Sequence, residues 1–319
     1  MPDRVLLPAF VALWSSGYVV GAVAIAAAGP LPLLALRFTL AAALLVPLAL
    51  RHGRWRGAPL GRLAVIGVLL HVVQFGGVYG GFALGVPAAL SALVMLGLSP
   101  LVTAGLAVAG GQERAGSRLW AGLAIGVAGV AISLAPELGD ARVGAGVGVT
   151  VLGMLGLSAG TVLQKRWAGG TDPRVSAAAQ TLTAAVLVVP LTVAFGGRVD
   201  VSLKLALAVA WLGWGMGGLS LIVLIEVLRR RAASSVAALL LVVPALTALA
   251  SAPALGQALH PVTLAGMLVA FAGTRTILRT ETRSATRLST VLSAGRAPAK
   301  PQTFDTSPEA SLGSAPEEV

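Results

Sequence analysis

What most constrains this chain is the length of its uninterrupted apolar runs. A helix needs roughly 20 apolar residues to cross the hydrocarbon core of a bilayer. Ten stretches meet or approach that length: Pro8–Ala28, Leu31–Leu50, Arg62–Leu84, Ala88–Ala109, Arg118–Ala135, Gly144–Lys165, Val175–Gly196, Lys204–Leu228, Ser235–Leu255 and Pro261–Leu278. Charges and turn residues gather in the short connections, such as RHGRWRGAPLGR, KRWAGGTDPR and LRRRAAS. The runs are continuous rather than alternating, which selects helices over a β-barrel. Only 11% of the 319 residues are charged, against about a quarter in soluble domains. The expected class is an all-α integral membrane protein, with the first run retained as a helix rather than removed as a signal peptide.

The net charge of +11 does not indicate nucleic-acid binding, because the basic residues are spread over loops between spans. With the N-terminus cytoplasmic, Arg4, Arg51, Arg54, Arg56, Arg62, Arg114, Arg118, Lys165, Arg166, Arg174, Arg229, Arg230 and Arg231 fall inside, and only Arg142, Arg198 and Lys204 outside. The positive-inside bias therefore predicts cytoplasmic termini and an even number of spans. No Cys is present, which excludes disulfides and thiolate chemistry. His52, His71 and His260 are scattered, so no metal site is expected, and no cofactor is implied. No phosphate-binding P-loop is present. The tail from 280 to 319, rich in Ser, Thr, Ala and Pro, reads as disordered.

The chain repeats itself. At an offset of 144, Ala88–Ala104 falls on Ala232–Ala248, with Ser91 on Ser235, Pro100 on Pro244 and Thr103 on Thr247; Gly122 meets Gly266 and Gly129 meets Gly273. At an offset of 143, Ser15 falls on Ser158, Gly17 on Gly160 and Pro47 on Pro190. Five spans per half is an odd number, so the second half enters the membrane from the opposite side. The result is an inverted repeat of the kind secondary transporters use.

These stretches, with LWSSGYVVG in the first span, LALRFTLAA in the second and PAALSALVMLGLSPLVTA running into GQERAGSRLWAGLAIGVAGV, resemble the EamA-like transporters of the drug/metabolite transporter superfamily. The resemblance covers residues 5 to about 278. It implies ten transmembrane helices in two inverted five-helix repeats, 5–135 and 144–278. It also implies small-molecule transport across a bacterial inner membrane, with the lipid bilayer and a small solute as partners and a monomer or homodimer as the working unit. Members usually close the fourth and ninth spans with a Gly-Glu pair. Here those positions read Gln112-Glu113 and Gly256-Gln257, which removes one interfacial carboxylate.

A polar side chain inside a span is costly unless it faces the bundle interior or a wet cavity. Arg37 stands several residues into the second span with no acidic neighbour in sequence. It can meet an anionic group of a substrate or snorkel to the interface, and its repeat counterpart is Gln180. His71 and Gln74 share a face of the third span with Phe75, with Tyr79 at its margin; they can line a cavity or bond between helices. By the 144 offset Gly215 corresponds to His71, so Trp211 and Trp214 on the eighth span are expected either at the same central space or in an interfacial aromatic belt. Trp14, Ser15 and Tyr18 mark one side of the first span, and Ser158 matches Ser15. These residues form the expected cavity wall, an interfacial anchor being the alternative for the first span. Glu226 is the only acidic residue in any span; it and His71 are the candidate proton carriers, an interfacial salt bridge being the alternative for Glu226. The function expected is export of amino acids, metabolites or amphipathic compounds by alternating access. A membrane-embedded enzyme acting on lipid, or a sensor or assembly factor, is the rival class.

Overall fold

The computed structural model describes residues 3–110, 117–136, 141–220, 242–256, 260–273 and 275–276. The tail 280–319, Glu226, the pair Gln112-Glu113 and Gln257 lie outside the described residues. Within these residues the chain is helical, with one isolated bridge, Ala28 to Val199, outside the helices.

The first helices are α1, Asp3–Ile25, and α2, Pro30–His52. The third, α3, spans Leu60–Ala83 and carries a π-helical segment, Val68–Val73, in its middle. In α4, Ala88–Ala92 runs through a π segment, Leu93–Leu98, into Ser99–Ala109. Then come α5, Ser117–Leu134, α6, Ala141–Ala168, and α7, Pro173–Phe195. Next, α8 begins as Leu203–Ala210 and continues as a π segment, Trp211–Leu219. Last are α9, Val243–Leu255, and α10, Pro261–Gly273. Six of these, α1, α2, α3, α4, α6 and α7, are long and apolar enough to cross a membrane, and α5, α8, α9 and α10 are shorter apolar helices. The helix starts differ slightly from the sequence expectation: α6 begins three residues before Gly144, and α3 two before Arg62. Charged residues at a span end do not stop a helix whose backbone bonds are already paired.

The outer surface is apolar. Val193 is 81% and Phe195 77% exposed. On a soluble domain such residues would be buried; here they are the face a bilayer covers.

The two halves exchange partners. Helices α3 and α6 form the most extensive pair, and α2 packs closely along α7. Helices α2 and α7 lie antiparallel, since the His52 end of α2 meets Arg174 at the start of α7, and Gly29 before α2 meets Arg198 after α7. Three kinds of close contact occur as repeat-related pairs: α3 against α6 and α8 against α1, α4 against α6 and α9 against α1, α3 against α7 and α8 against α2. The correspondence reaches single bonds. The Ser15 hydroxyl donates to the Val243 carbonyl at 3.3 Å, and the Ser158 hydroxyl to the Ser99 carbonyl, also at 3.3 Å. Ser15 is the mate of Ser158, and Ser99 of Val243. The π segments agree as well, because Val68–Val73 shifted by 144 falls inside Trp211–Leu219.

Small residues set the closest crossings. Between lipid-facing helices the hydrophobic effect supplies little attraction, so backbones must approach closely to gain packing. A Cβ on Gly77 of α3 would stand 2.5 Å from the Gly153 Cα of α6. At the α5–α10 contact, a Cβ on Gly129 would stand 2.8 Å from the Gly266 carbonyl oxygen, and one on Gly273 2.8 Å from that of Gly122. Ser133 and Thr263 bond reciprocally across that contact, each hydroxyl donating to the other's carbonyl at 3.0 and 3.1 Å.

Candidate functional site

A cavity of about 580 Å³ lies between the halves. Its walls come from α1 (Trp14), α2 (Arg37, Phe38), α3 (His71, Phe75), α6 (Gln164, Lys165), α7 (Ser176, Gln180) and α8 (Leu212, Met216). It therefore draws three helices from each repeat. Two of the three described π segments, Val68–Val73 and Trp211–Leu219, face it, through His71 and through Leu212 and Met216. A π turn widens the helix and rotates the side chains that follow, and such turns recur at functional sites.

Arg37 is the eighth residue of α2, about 10 Å along the helix from its start. It is 7% exposed. Its guanidinium donates to the Tyr79 hydroxyl at 2.5 Å and lies 3.8 Å from the centroid of the Phe75 ring. The tilted aromatic row Phe38, Phe75, Tyr79 and Phe82 continues along α3 from there. Arg37 thus lines the cavity and does not snorkel. No described carboxylate pairs with it; the salt bridges among the described residues are Arg54–Asp172 and Arg198–Asp200, both in end loops. Trp14 Nε1 and His71 Nδ1, on cavity-lining residues, are buried without a hydrogen-bond partner.

The other side of the cavity is a closed amide cluster. Gln180 Nε2 donates to Gln164 Oε1 at 2.8 Å and to Ser176 Oγ at 2.6 Å, and Gln164 Nε2 donates to Ser176 Oγ at 3.1 Å. Gln180 is the eighth residue of α7, as Arg37 is of α2. The repeat mates thus stand at matched depths from opposite ends of an antiparallel pair.

Other expected site residues take different places. Tyr79 is buried and reaches the site through Arg37. Ser15 and Ser158 are buried in helix contacts, bonded as described above. Tyr18 is half-buried against the main apolar cluster, and Gln74 offers its carbonyl to the close α3–α6 crossing. None of these five is among the residues lining the cavity. Trp211 and Trp214 also stand outside it, 36% and 50% exposed, donating to the Ser16 hydroxyl at 2.9 Å and the Leu40 carbonyl at 3.1 Å. The π turn explains this: it gives more residues per turn than the 3.6-residue spacing assumes, so Leu212, Met216 and Gly217 face inward instead. Gln164, Ser176 and Thr181 were not singled out from sequence. Gln164 and Ser176 stand close to charged span ends and read there as boundary residues, and Thr181 is a lone hydroxyl beside Gln180.

Each end of the helix bundle carries a loop contact, and the two are repeat mates. At one end the α1–α2 loop pairs with the α7–α8 loop: the Gly29 N–H donates to the Arg198 carbonyl at 2.9 Å, the Asp200 N–H to the Ala27 carbonyl at 2.8 Å, and the Arg198 side chain to the Ala26 carbonyl. Gly197, at φ +148°, has no room for a Cβ, which would stand 2.6 Å from Pro32 Cγ. At the other end the α2–α3 loop meets the α6–α7 turn. The Arg54 N–H donates to Asp172 Oδ2 at 3.1 Å, and the Arg174 guanidinium to the His52 carbonyl at 2.9 Å. The Arg174 backbone N–H, followed by that of Arg54, holds the Asp172 carboxyl below its usual range. The cavity reaches this second end, where Lys165, Gly169, Thr171 and Pro173 line it.

A model of the EamA-like transporter family matches residues 5–135 and 144–279. The chain belongs to the EamA-like transporter family. This EamA-like chain also shares its fold with a solved structure described as "Crystal structure of protein", with a TM-score of 0.57 and 23% identity over 86% of this chain and 95% of that one. No curated protein matches the sequence. Family membership makes the chain a membrane transporter by type, and the two matched segments are the two repeats that share the cavity.

Proposed function

We propose that this EamA-like chain is a secondary exporter of small organic solutes, amino acids, other metabolites or amphipathic compounds, in a bacterial inner membrane. In this reading ten helices span as two inverted repeats, and both termini are cytoplasmic. The Arg54 end of the bundle is then the cytoplasmic one, and the Arg198 end faces outward. The observation that carries the reading is the cavity itself, walled by equivalent helices of both repeats, with equivalent loop contacts at the two ends of the bundle. Exchanging the conformations of the two halves would open one end and close the other, which is alternating access. His71 and Glu226 are the candidate proton carriers. A lipid-modifying enzyme would group carboxylates at the membrane surface; among the described residues, Asp172 and Asp200 instead pair with Arg54 and Arg198 at opposite ends.

The test is counterflow in proteoliposomes holding the full chain. Vesicles loaded with one candidate solute should accumulate a labelled trace of it, and protein-free vesicles should not. If no solute in a panel of metabolites, amino acids and amphipathic amines exchanges, the transporter reading fails.

A further inference from the structure

The cavity has a charge pattern that the general transporter reading does not use. Among the described residues its charged lining is Arg37 and Lys165, with no Asp or Glu. Arg37 is a permanent cation with a neutral hydrogen-bond acceptor and an aromatic face as its contacts. A buried charge without a counter-charge is stabilised strongly when an anion arrives, because the desolvation cost has already been met in the empty state. The guanidinium fork matches a carboxylate in a way an ammonium cannot. Lys165 stands near the end of α6, at the α6–α7 turn by the His52 end of α2, and Arg37 lies about 22 Å along α2 from that end, so the two cations are well separated along the cavity. The wall against Arg37 is aromatic, with the Phe75 ring at 3.8 Å and that of Phe38 at 5.5 Å, and Leu70 and Met216 add apolar lining to the same cavity.

Resting on the transporter reading, we propose that the solute is an organic monocarboxylate without a compensating ammonium: its carboxylate meets Arg37 and its apolar or aromatic body lies along Phe75, Phe38 and Met216. An α-ammonium would stand next to a carboxylate already held by Arg37. Repelled by the guanidinium, it would find no carboxylate among the described residues that line the cavity. Zwitterionic amino acids are therefore poorer solutes than anions of the same shape. A second carboxylate on a short solute would remain by the apolar walls, since Lys165 lies well away along the cavity.

The experiment uses four compounds that share one body: 3-phenylpropionate, phenylalanine, phenethylamine and 3-phenylpropanamide. Each competes for counterflow of labelled 3-phenylpropionate in proteoliposomes, and each is also tested for thermal stabilisation of the detergent-purified full chain. The anion should compete at least about tenfold better than the other three. Arg37→Gln should weaken the anion by roughly 10- to 100-fold, the loss of a charge-assisted pair, and leave the amide unchanged. Should Arg37→Gln fail to fold, Arg37→Lys keeps the charge without the fork, and the preference for anion over amide must survive in it. Equal or better competition by phenylalanine or phenethylamine overturns the inference, as does an unchanged anion affinity in folded Arg37→Gln. Transport of another class with no anion preference leaves the carrier reading standing and ends this one. Stabilisation by the anion alone, with no exchange of any solute, supports the site and ends the carrier reading.

Discussion

His71 sits where a cavity-forming helix is least regular, inside the π segment of α3, with its ring 5.2 Å from that of Phe38. Its Nδ1 is buried without a partner. A buried polar atom that makes no bond costs stability rather than supplying it. His71→Leu should therefore leave the melting temperature of the detergent-purified chain within about 2 °C of the native value, or raise it, while slowing solute exchange at least about tenfold. A fall of more than about 5 °C with exchange intact would assign the imidazole to packing. Arg37 shows how far a residue's neighbourhood was open to sequence reasoning. That it stands inside a span without an acidic neighbour was legible. That it faces inward was not, because α2 is apolar all round and periodicity gives no face. The contact that places it comes from Tyr79, 42 residues later. The sequence also marks Trp211 and Trp214 as candidates for the same space, and there the 3.6-residue assumption fails at a π turn.

At the scale of helices, the crossings were more legible than the faces. Gly, Pro and Ser coincidences at offsets of 143 and 144 identify the repeat, and the same residues turn out to make the repeat-related contacts: Ser15 and Ser158, Gly129 with Gly266, Gly273 with Gly122. The reason is physical. In a membrane the surfaces that pack are those that let backbones approach, and only a few residue types allow it. Adjacent glycines of α3 separate this from glycine content as such. Gly76 has open space where a Cβ would be, whereas a Cβ on Gly77 would stand 2.5 Å from Gly153 Cα. Gly76→Ala should be neutral or slightly stabilising. Gly77→Ala should cost about 1–3 kcal/mol as the α3–α6 crossing is forced apart, seen as a lower melting temperature in detergent. Equal effects of the two would mean that this crossing does not set the stability of the bundle.

For the whole molecule, the two loop contacts are the parts expected to break in turn. The contact at Asp172 is polar and titrates. A carboxyl whose folded-state pKa is depressed contributes stability above its unfolded value, and that contribution is lost as pH falls through the folded value. The Arg54–Asp172 contact should therefore persist through neutral pH and weaken only below the ordinary carboxylate range near 4, and Asp172→Asn should reproduce the weakened state at pH 7. With the chain free of Cys, labelling of a single introduced Thr171→Cys at the cavity end by a water-soluble maleimide reports this. Labelling should be faster in Asp172→Asn at pH 7, and an unchanged rate would remove Asp172 from any gating role. The opposite contact carries the stronger test. Ala28 and Val199 face each other across an antiparallel bridge, whose paired Cα atoms lie about 4.5–5.5 Å apart, within the range a disulfide spans. The double variant Ala28→Cys, Val199→Cys should form that disulfide on oxidation and hold this end shut. Solute should still reach the cavity from the Arg54 end and stabilise the chain, but exchange should stop and return on reduction. If the oxidised protein exchanged at the native rate, the α1–α2 and α7–α8 loops would not need to part during transport. The symmetry of the two ends would then be architectural and not mechanistic.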